Sequence, residues 1–240
     1  MSKNKVYPGF AEAVADIADG ASIMIGGFGG AGGMPENLLL ALRDQGATQL
    51  TIIANTAGLG ATFGVQPGKS YVDASILSES GQVRKAIASF PVSPSPSRPT
   101  AFEKLYLAGK VELEMVPQGT LAERIRAAGA GIGAFFTPVG VGTVVEEGKE
   151  KRVIGGREMV LETALGADYA LIRAHKADTL GNVVYRGTSR SFSPIMAMAA
   201  RTTIVEVDEI VPAGGLDPEC IVTPGIFVQR IVRRPKKDAP

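Results

Sequence analysis

The chain has 240 residues, 45% hydrophobic and 20% charged, which suits one large α/β domain and excludes disorder over most of its length. Twenty-five basic against twenty-four acidic side chains leave a formal charge of +1, so no overall field draws a nucleic acid or an anionic membrane, and neither is expected as a partner. Cys220 is the sole cysteine, which removes internal disulfides and thiolate metal clusters, fits a reducing cytoplasm, and makes a structural thiol its expected role.

Residues 1–7 carry two lysines with no apolar run behind them, so they do not read as a secretory signal, and a cytoplasmic protein is expected. Phe10, Val14 and Ile17 repeat at helical spacing, and Gly20 stops that helix before the apolar run Ile23, Met24, Ile25. Six glycines follow between Gly26 and Gly33. Pro35 then suits the first turn of a new helix, with Leu38, Leu39 and Leu42 as its buried face and Gly46 as its stop. Residues 49–54 read as the next strand. Strand, loop, helix and strand in this order make a βαβ unit, whose sheet is expected to be parallel.

Residues 83–90 predict another strand, and Pro91, Pro94, Pro96 and Pro99 exclude regular structure until a helix over 101–107. Val111, Leu113 and Met115 alternate with Glu112 and Glu114, the pattern of a strand with one buried face. Thr120 and Glu123 form a T-x-x-E capping box for a helix ending at Gly129, which puts Gln118 and Gly119 at a strand-to-helix corner. The charge-free run 127–145 holds five glycines and Pro138, too weakly apolar to span a membrane, and reads as buried backbone near a site. Gly155 and Gly156 between two short strands predict a hairpin that adds antiparallel structure to the sheet. Further strands are expected over 169–174, 183–185, 203–207 and 226–232, with a short helix over 194–200. The expected fold is thus α/β, a single domain over 1–232 whose mixed, mostly parallel sheet is flanked by helices, with a flexible tail over 233–240.

Gly27, Gly29 and Gly32 satisfy G-x-G-x-x-G between a strand and a helix, the setting of a dinucleotide-binding turn. That role also needs an acidic residue at the end of the next strand for the ribose, where this chain has Asn55 and Thr56. Six glycines exceed what one tight turn needs, so the loop is expected to lay bare backbone against a ligand or a partner chain.

Several blocks carry a resemblance. Asp19-Gly20 precedes three apolar residues and Gly26-Gly27-Phe28-Gly29, with Pro35-Glu36-Asn37 beyond; PQGTLAERIRAAGAGIGAFFTP fills 117–138; Ala174-His175-Lys176-Ala177-Asp178 and IVTPGIFV over 221–228 follow. In this order they resemble the A (alpha) subunit of the family I 3-oxoacid CoA-transferases. The segments SFP over 89–91 and PIMAMAA over 194–200 are most similar to the 3-oxoadipate enzymes, then to the succinyl-CoA:3-oxoacid (acetoacetate) enzymes. The resemblance implies the CoA-transferase (sugar-phosphate isomerase-like) fold and no tightly bound cofactor, with coenzyme A as a substrate. It implies a ping-pong reaction in which a glutamate of a separate B subunit forms a glutamyl-CoA thioester and passes the CoA to a second carboxylic acid.

On this chain the resemblance makes Gln118 the neutral donor to the tetrahedral oxyanion, against the plainer role of satisfying backbone groups at a turn. It makes Gly26, Gly27, Phe28, Gly29, Gly30, Gly32, Glu36, Asn37 and Asn55 the candidate substrate and CoA contacts. Glu36 also fits the ordinary role of a first-turn acid favoured by the helix dipole. No metal ligand set is expected, because His175 is the sole histidine and reads as a hydrogen-bonded structural residue. Arg124 and Arg126 read as a solvated helix face, with CoA phosphates as the functional alternative. For Arg186 and Arg190 the alternatives are a surface ion pair or a substrate carboxylate.

The chain departs from the family's usual pattern in a glycine loop one residue longer, in extra sequence around 61–71, and at Thr56, Val141, Gly187 and Ser191. These positions bear on polar recognition of the acid rather than on packing. On the same fold, water in place of the second acid would make a thioester hydrolase, and a ring-opening reaction is a further variant. A non-catalytic sugar-phosphate sensor is the alternative outside enzymes, though no helix-turn-helix output segment is present.

Overall fold

The computed structural model describes residues 4–60, 71–93, 95 and 97–235. Of the extra sequence expected around 61–71, residues 61–70 lie outside the described residues, as do Pro94, Pro96 and the tail positions 236–240. In chain order the elements are α1 (Phe10–Val14), β1 (Ser22–Ile25), α2 (Glu36–Gln45), β2 (Leu50–Thr56), α3 (Ser75–Glu79), β3 (Val83–Phe90), α4 (Ala101–Leu107), β4 (Glu112–Met115) and α5 (Gln118–Gly129). They continue with β5 (Ala134–Thr137), β6 (Lys151–Ile154), β7 (Arg157–Thr163), β8 (Ala167–Asp178), β9 (Val183–Val184), α6 (Ser193–Ala199), β10 (Ala200–Val211) and β11 (Arg230–Arg233).

The main sheet runs β11-β10-β8-β1-β2-β3-β4, with every neighbouring pair parallel, and β9 pairs antiparallel with β8. Alternation along the strands feeds two apolar layers. Ile23 and Ile25 of β1, Ile52 and Ala54 of β2, and Leu171 of β8 pack with α1, α2, Leu77 of α3 and Phe102 of α4. Met24, Ile53, Ala170 and Ile172 point the other way, against Leu121 and Ile125 of α5 and Met196 of α6. The expected α/β architecture with helices on both faces is therefore present. From β1 the chain winds outward to β2, and later returns to place β8 on β1's other side. The two directions diverge at the carboxyl end of β1, the position where open parallel sheets hold ligands.

Several local expectations are corrected. The helix predicted to start from a Thr120–Glu123 box begins earlier, at Gln118, because Pro117 already supplies its carbonyl to Leu121 N–H (2.8 Å). Glu123 instead pairs with Arg126 on the exposed face, and the reciprocal box lies at Thr100 and Glu103 of α4. β4 is an edge strand without a clean buried face: Val111 precedes it, and Met115 is 51% exposed. The Gly155-Gly156 hairpin forms as expected, with both glycines at positive φ, but β7 also pairs with β5. The result is a separate three-stranded sheet, β5-β7-β6, rather than an extension of the main one. The run 127–145 is correspondingly not buried backbone: it carries β5 and exposed turns, with Val139 and Val144 open to solvent.

At the C-terminus, Arg233 closes β11 and Arg234 is buried, so both belong to the fold rather than to the expected tail. Cys220 is exposed, not a packed structural thiol. Among the described residues no helix is long and apolar enough to cross a membrane.

Candidate active site

At the carboxyl edge of the sheet, β2 ends in Asn55 and Thr56, and the chain leaving β4 turns at Pro117 straight into α5. This brings the Gln118 side chain onto Asn55, with Nε2 donating to Oδ1 at 2.6 Å. Asn55 is buried, so its amide is a fixed anchor. A primary amide carries two N–H donors; one is held by Asn55, and the second has no acceptor among the described residues. No side chain caps α5, so the first-turn amides beside Gln118 add the positive end of a 12-residue helix.

Gln118 and Gly119 line a cleft of ≈ 340 Å³ with Phe28, Ala122, Ser191, Phe192 and Ile195. A Cβ on Gly119 would meet nothing within 4 Å, so the cleft floor is open there. Phe28 stacks on Phe192 with ring centroids 6.4 Å apart, forming an apolar wall opposite the amide donors. Polar donors on one side and an apolar wall on the other can hold an acyl group while polarising its carbonyl oxygen.

Several glycines of the loop, expected to lie against a ligand or a partner chain, pack closely on this chain's own atoms. A Cβ on Gly33, which sits at φ +79°, would fall 2.8 Å from the Ser189 backbone, and one on Gly27 would collide with Met34 Sδ. Gly26 donates its N–H to Leu171 O (2.9 Å), and Gly29 abuts Thr56. Gly29, Gly30 and Ala31 form a single 3-10 turn, closed by Gly32 N–H to Gly29 O. Of the loop residues proposed from the sequence, Phe28 is the one that lines the cleft.

Glu36 and Asn37 belong to a different cluster. Asn37 N–H and Leu38 N–H donate to Glu206 Oε2 at 2.9 and 3.0 Å, so a buried carboxylate of β10 occupies the amino end of α2. That is where a dinucleotide pyrophosphate would sit after a G-x-G-x-x-G turn, and the protein's own carboxylate fills it. Arg234 binds Glu36 (3.2 Å) and Asp208 (3.0 Å), and its Nε lies 2.9 Å from Glu206 Oε1. Desolvation pushes the Glu206 carboxyl up to about 7, against the opposing pull of Arg234 and the Leu38 and Asn37 donors. A hollow of ≈ 670 Å³ between α1 and α2 includes Asn37 but no other candidate contact.

His175 is hydrogen-bonded, as expected, with Nδ1 3.2 Å from Asp208 Oδ2. Arg124 is not solvated: it is buried, binding Glu114 (2.8 Å) and Thr163 O (2.9 Å), while Arg126 stays exposed beside Glu123. Phe192 and Ile195 are site walls that the sequence does not single out, although both lie in the SFSPIMAMAA stretch whose apolar spacing marks a short helix. Glu206 and Arg234 likewise carry no local signature of their cluster.

The fold and the donor-lined cleft at its carboxyl edge are those of an acyl-handling α/β protein, and the chain belongs to the coenzyme A transferase family, whose profile matches residues 8–234. It is 55% identical to the alpha (A) subunit of 3-oxoadipate CoA-transferase from Pseudomonas putida, over 95% of this chain and 93% of that one. It is 46% identical to the alpha (A) subunit of the probable succinyl-CoA:3-ketoacid coenzyme A transferase of Bacillus subtilis, over 95% and 89%. Among solved structures it is similar to an acyl-CoA transferase of Escherichia coli O157:H7 captured as a thioester complex with CoA, with TM-score 0.83 and 24% identity. That match covers 99% of this chain and 48% of the other, so the chain spans about half the length of that protein. Glutaconate coenzyme A-transferase of Acidaminococcus fermentans shares the fold at TM-score 0.78 and 22% identity, over 96% and 76%.

Proposed function

We propose that this chain is the alpha subunit of a CoA-transferase that moves CoA from an acyl-CoA such as succinyl-CoA to a 3-oxo acid, 3-oxoadipate or acetoacetate, in the cytoplasm. CoA and the acids are its substrates, and a B subunit supplies the nucleophilic glutamate. The Gln118–Asn55 contact carries this reading, because it holds a neutral donor rigidly at the mouth of an acyl-sized cleft. Several curated relatives are themselves named as one lettered subunit of such an enzyme. A rat mitochondrial succinyl-CoA:3-ketoacid coenzyme A transferase is 43% identical, and this chain matches 45% of its length.

In this reaction the partner's carboxylate attacks the thioester carbonyl, and the carbonyl oxygen takes the negative charge. The free N–H of Gln118, with the amino end of α5, stabilises that oxygen. Collapse expels the CoA thiolate and leaves an acyl-glutamyl anhydride. The thiolate then attacks the glutamyl carbonyl through a second oxyanion, releasing the first acid and leaving glutamyl-CoA. The same two steps in reverse, with the new acid, return the carboxylate. A neutral amide suits every step, since a cation in its place would also bind and quiet the attacking carboxylate. Phe28 and Phe192 keep water from the thioester, which favours transfer over hydrolysis.

The test is to purify this chain with its B subunit and follow CoA exchange between succinyl-CoA and 3-oxoadipate or acetoacetate. Transfer is expected only from the assembled pair, with the trapped thioester on the B chain. A thioester on this chain, or release of free CoA without an acceptor acid, would overturn the transferase assignment.

A further inference from the structure

The 188–192 segment, which lends Ser191 and Phe192 to the acyl cleft, lends Thr188 and Ser189 to a smaller cavity of ≈ 290 Å³. Its lining is almost wholly polar: Arg173, His175, Arg186, Thr188, Ser189 and Asp208, with Gly33 at the base. Asp208 is its one carboxylate and is already shared, 3.0 Å from Arg234, 3.2 Å from His175 and 3.7 Å from Arg173. Arg186 has no carboxylate partner among the described residues. Its main chain is nevertheless held firmly: its N–H donates to Ser189 Oγ (3.3 Å), and its C=O accepts from the same hydroxyl (2.8 Å). Gly33 lies so close to the Thr188 and Ser189 backbone that a Cβ there would fall 2.8 Å from both. The cavity thus presents the uncommitted guanidinium of the exposed Arg186, a second one, Arg173, 3.7 Å from Asp208, and the exposed Thr188 hydroxyl.

We propose that this cavity is a binding site for a small oxyanion, a carboxylate or phosphate group, with Arg186 as the principal contact and Arg173 and Thr188 beside it. A planar guanidinium with five donors and no acid partner matches two oxygens of such a group, and Arg173 can turn from its 3.7 Å contact to join it. The site stands on the cavity and its charges and does not depend on the transferase reading. Three sources share this chemistry: the carboxylate of an acid substrate, a phosphate of CoA, and a free inorganic anion. The cavity shares the 188–192 wall and the glycine loop with the acyl cleft, so occupancy would stiffen the segment that carries Ser191 and Phe192.

Calorimetric titration of the full chain with inorganic phosphate and with succinate tests the site. Saturable binding of at least one of them is expected, weakened about 10-fold or more by Arg186→Gln, as loss of a bidentate charged contact implies. Arg190→Gln, an exposed position outside the cavity, should leave it unchanged. No saturable binding of either anion, or equal affinity in Arg186→Gln with an unchanged melting temperature, overturns the proposal. In the assembled enzyme, Arg186→Gln that raises KM for the acid alone identifies the substrate carboxylate as the occupant, and a rise for the CoA ester alone identifies a CoA phosphate. Loss of phosphate binding with both KM values unchanged identifies a free anion.

Discussion

Gln118, at the first position of α5, reaches across the carboxyl edge of the sheet to Asn55, the next-to-last residue of β2, and donates to it at 2.6 Å. The bond uses one of two amide N–H groups, so its effect is orientation: it decides where the other donor points. Gln118→Ala should therefore lower kcat of the assembled enzyme roughly 100-fold or more, with a much smaller change in KM. Asn55→Ala should lower kcat by about 10-fold, because the donor survives but loses its anchor. The double variant should be scarcely worse than Gln118→Ala, since both changes act on one donor. Steady-state kinetics on the three variants checks this, and additive losses would show that Asn55 acts independently.

Gly33 and Gly46 both occupy positive φ, at +79° and +89°, yet only Gly33 has backbone in its Cβ direction. At Gly46, which caps α2, alanine meets open space and should cost about 1 kcal/mol from the left-handed conformation alone. At Gly33 it would sit 2.8 Å from Ser189, so the loop and the 188–189 turn must separate. Thermal unfolding should place Gly33→Ala well below Gly46→Ala in stability, and only Gly33→Ala should lose activity per folded molecule, because Phe28 and Phe192 ride on the two displaced segments.

The parallel sheet is legible in the sequence because its strands carry their own signal: apolar, β-branched runs bounded by glycine, in βαβ order. Residues 49–54 and 83–90 therefore fall within a residue or two of β2 and β3. The start of α5 is not, because T-x-x-E is a local pattern, whereas the helix begins wherever a carbonyl first meets an N–H four residues on, and Pro117 provides it. The small sheet escapes sequence reading because β5 pairs with β7 over some twenty intervening residues, and register at that range leaves no local trace. Gln118 is legible only through the family resemblance; its partner Asn55 lies 63 residues away. The Glu206–Arg234 cluster is hidden by composition, since a charged, proline-rich terminus reads as solvated until its arginine is seen against a buried acid.

Arg124 is the tie between the small sheet and the main one. It reaches Glu114 of β4 and the Thr163 carbonyl of β7 from α5, and its Nε lies 3.9 Å from the buried Glu162. Burial pushes the Glu114 carboxyl up, but hydrogen bonds from Arg124 and Lys85 outweigh it and hold the group below its ordinary value. A lowered carboxyl adds stability above its unfolded value that is lost as pH falls through its folded one. Arg124→Met keeps the apolar stem, removes the cation, and leaves Glu162 with Lys149 alone, at 2.6 Å. It should cost about 3–5 kcal/mol, as for one partner removed from a buried pair. It should also weaken the acid-side loss of stability around pH 4. Calorimetric melting from about pH 4 to 8 checks both, and a variant as stable as the parent would show that the tie is not structural.

Glu206 should titrate near neutrality and set the opposite slope. Its carboxyl, buried in β10 and raised from 4.5 to about 7, holds the amino end of α2 through Asn37 and Leu38. Between those two values the folded protein binds a proton that the unfolded chain has released, so stability falls as pH rises through the window. The full contribution is on the order of 3 kcal/mol, the shift multiplied by the free energy of one unit. Glu206→Gln keeps an acceptor for the helix amides but removes the titration. The parent's advantage over this variant should therefore be greatest at about pH 5 and shrink towards about pH 8, read as the difference in melting temperature. If the advantage grows with pH instead, the pull of Arg234 at 2.9 Å exceeds the burial penalty, and Glu206 is a stable anion at every working pH.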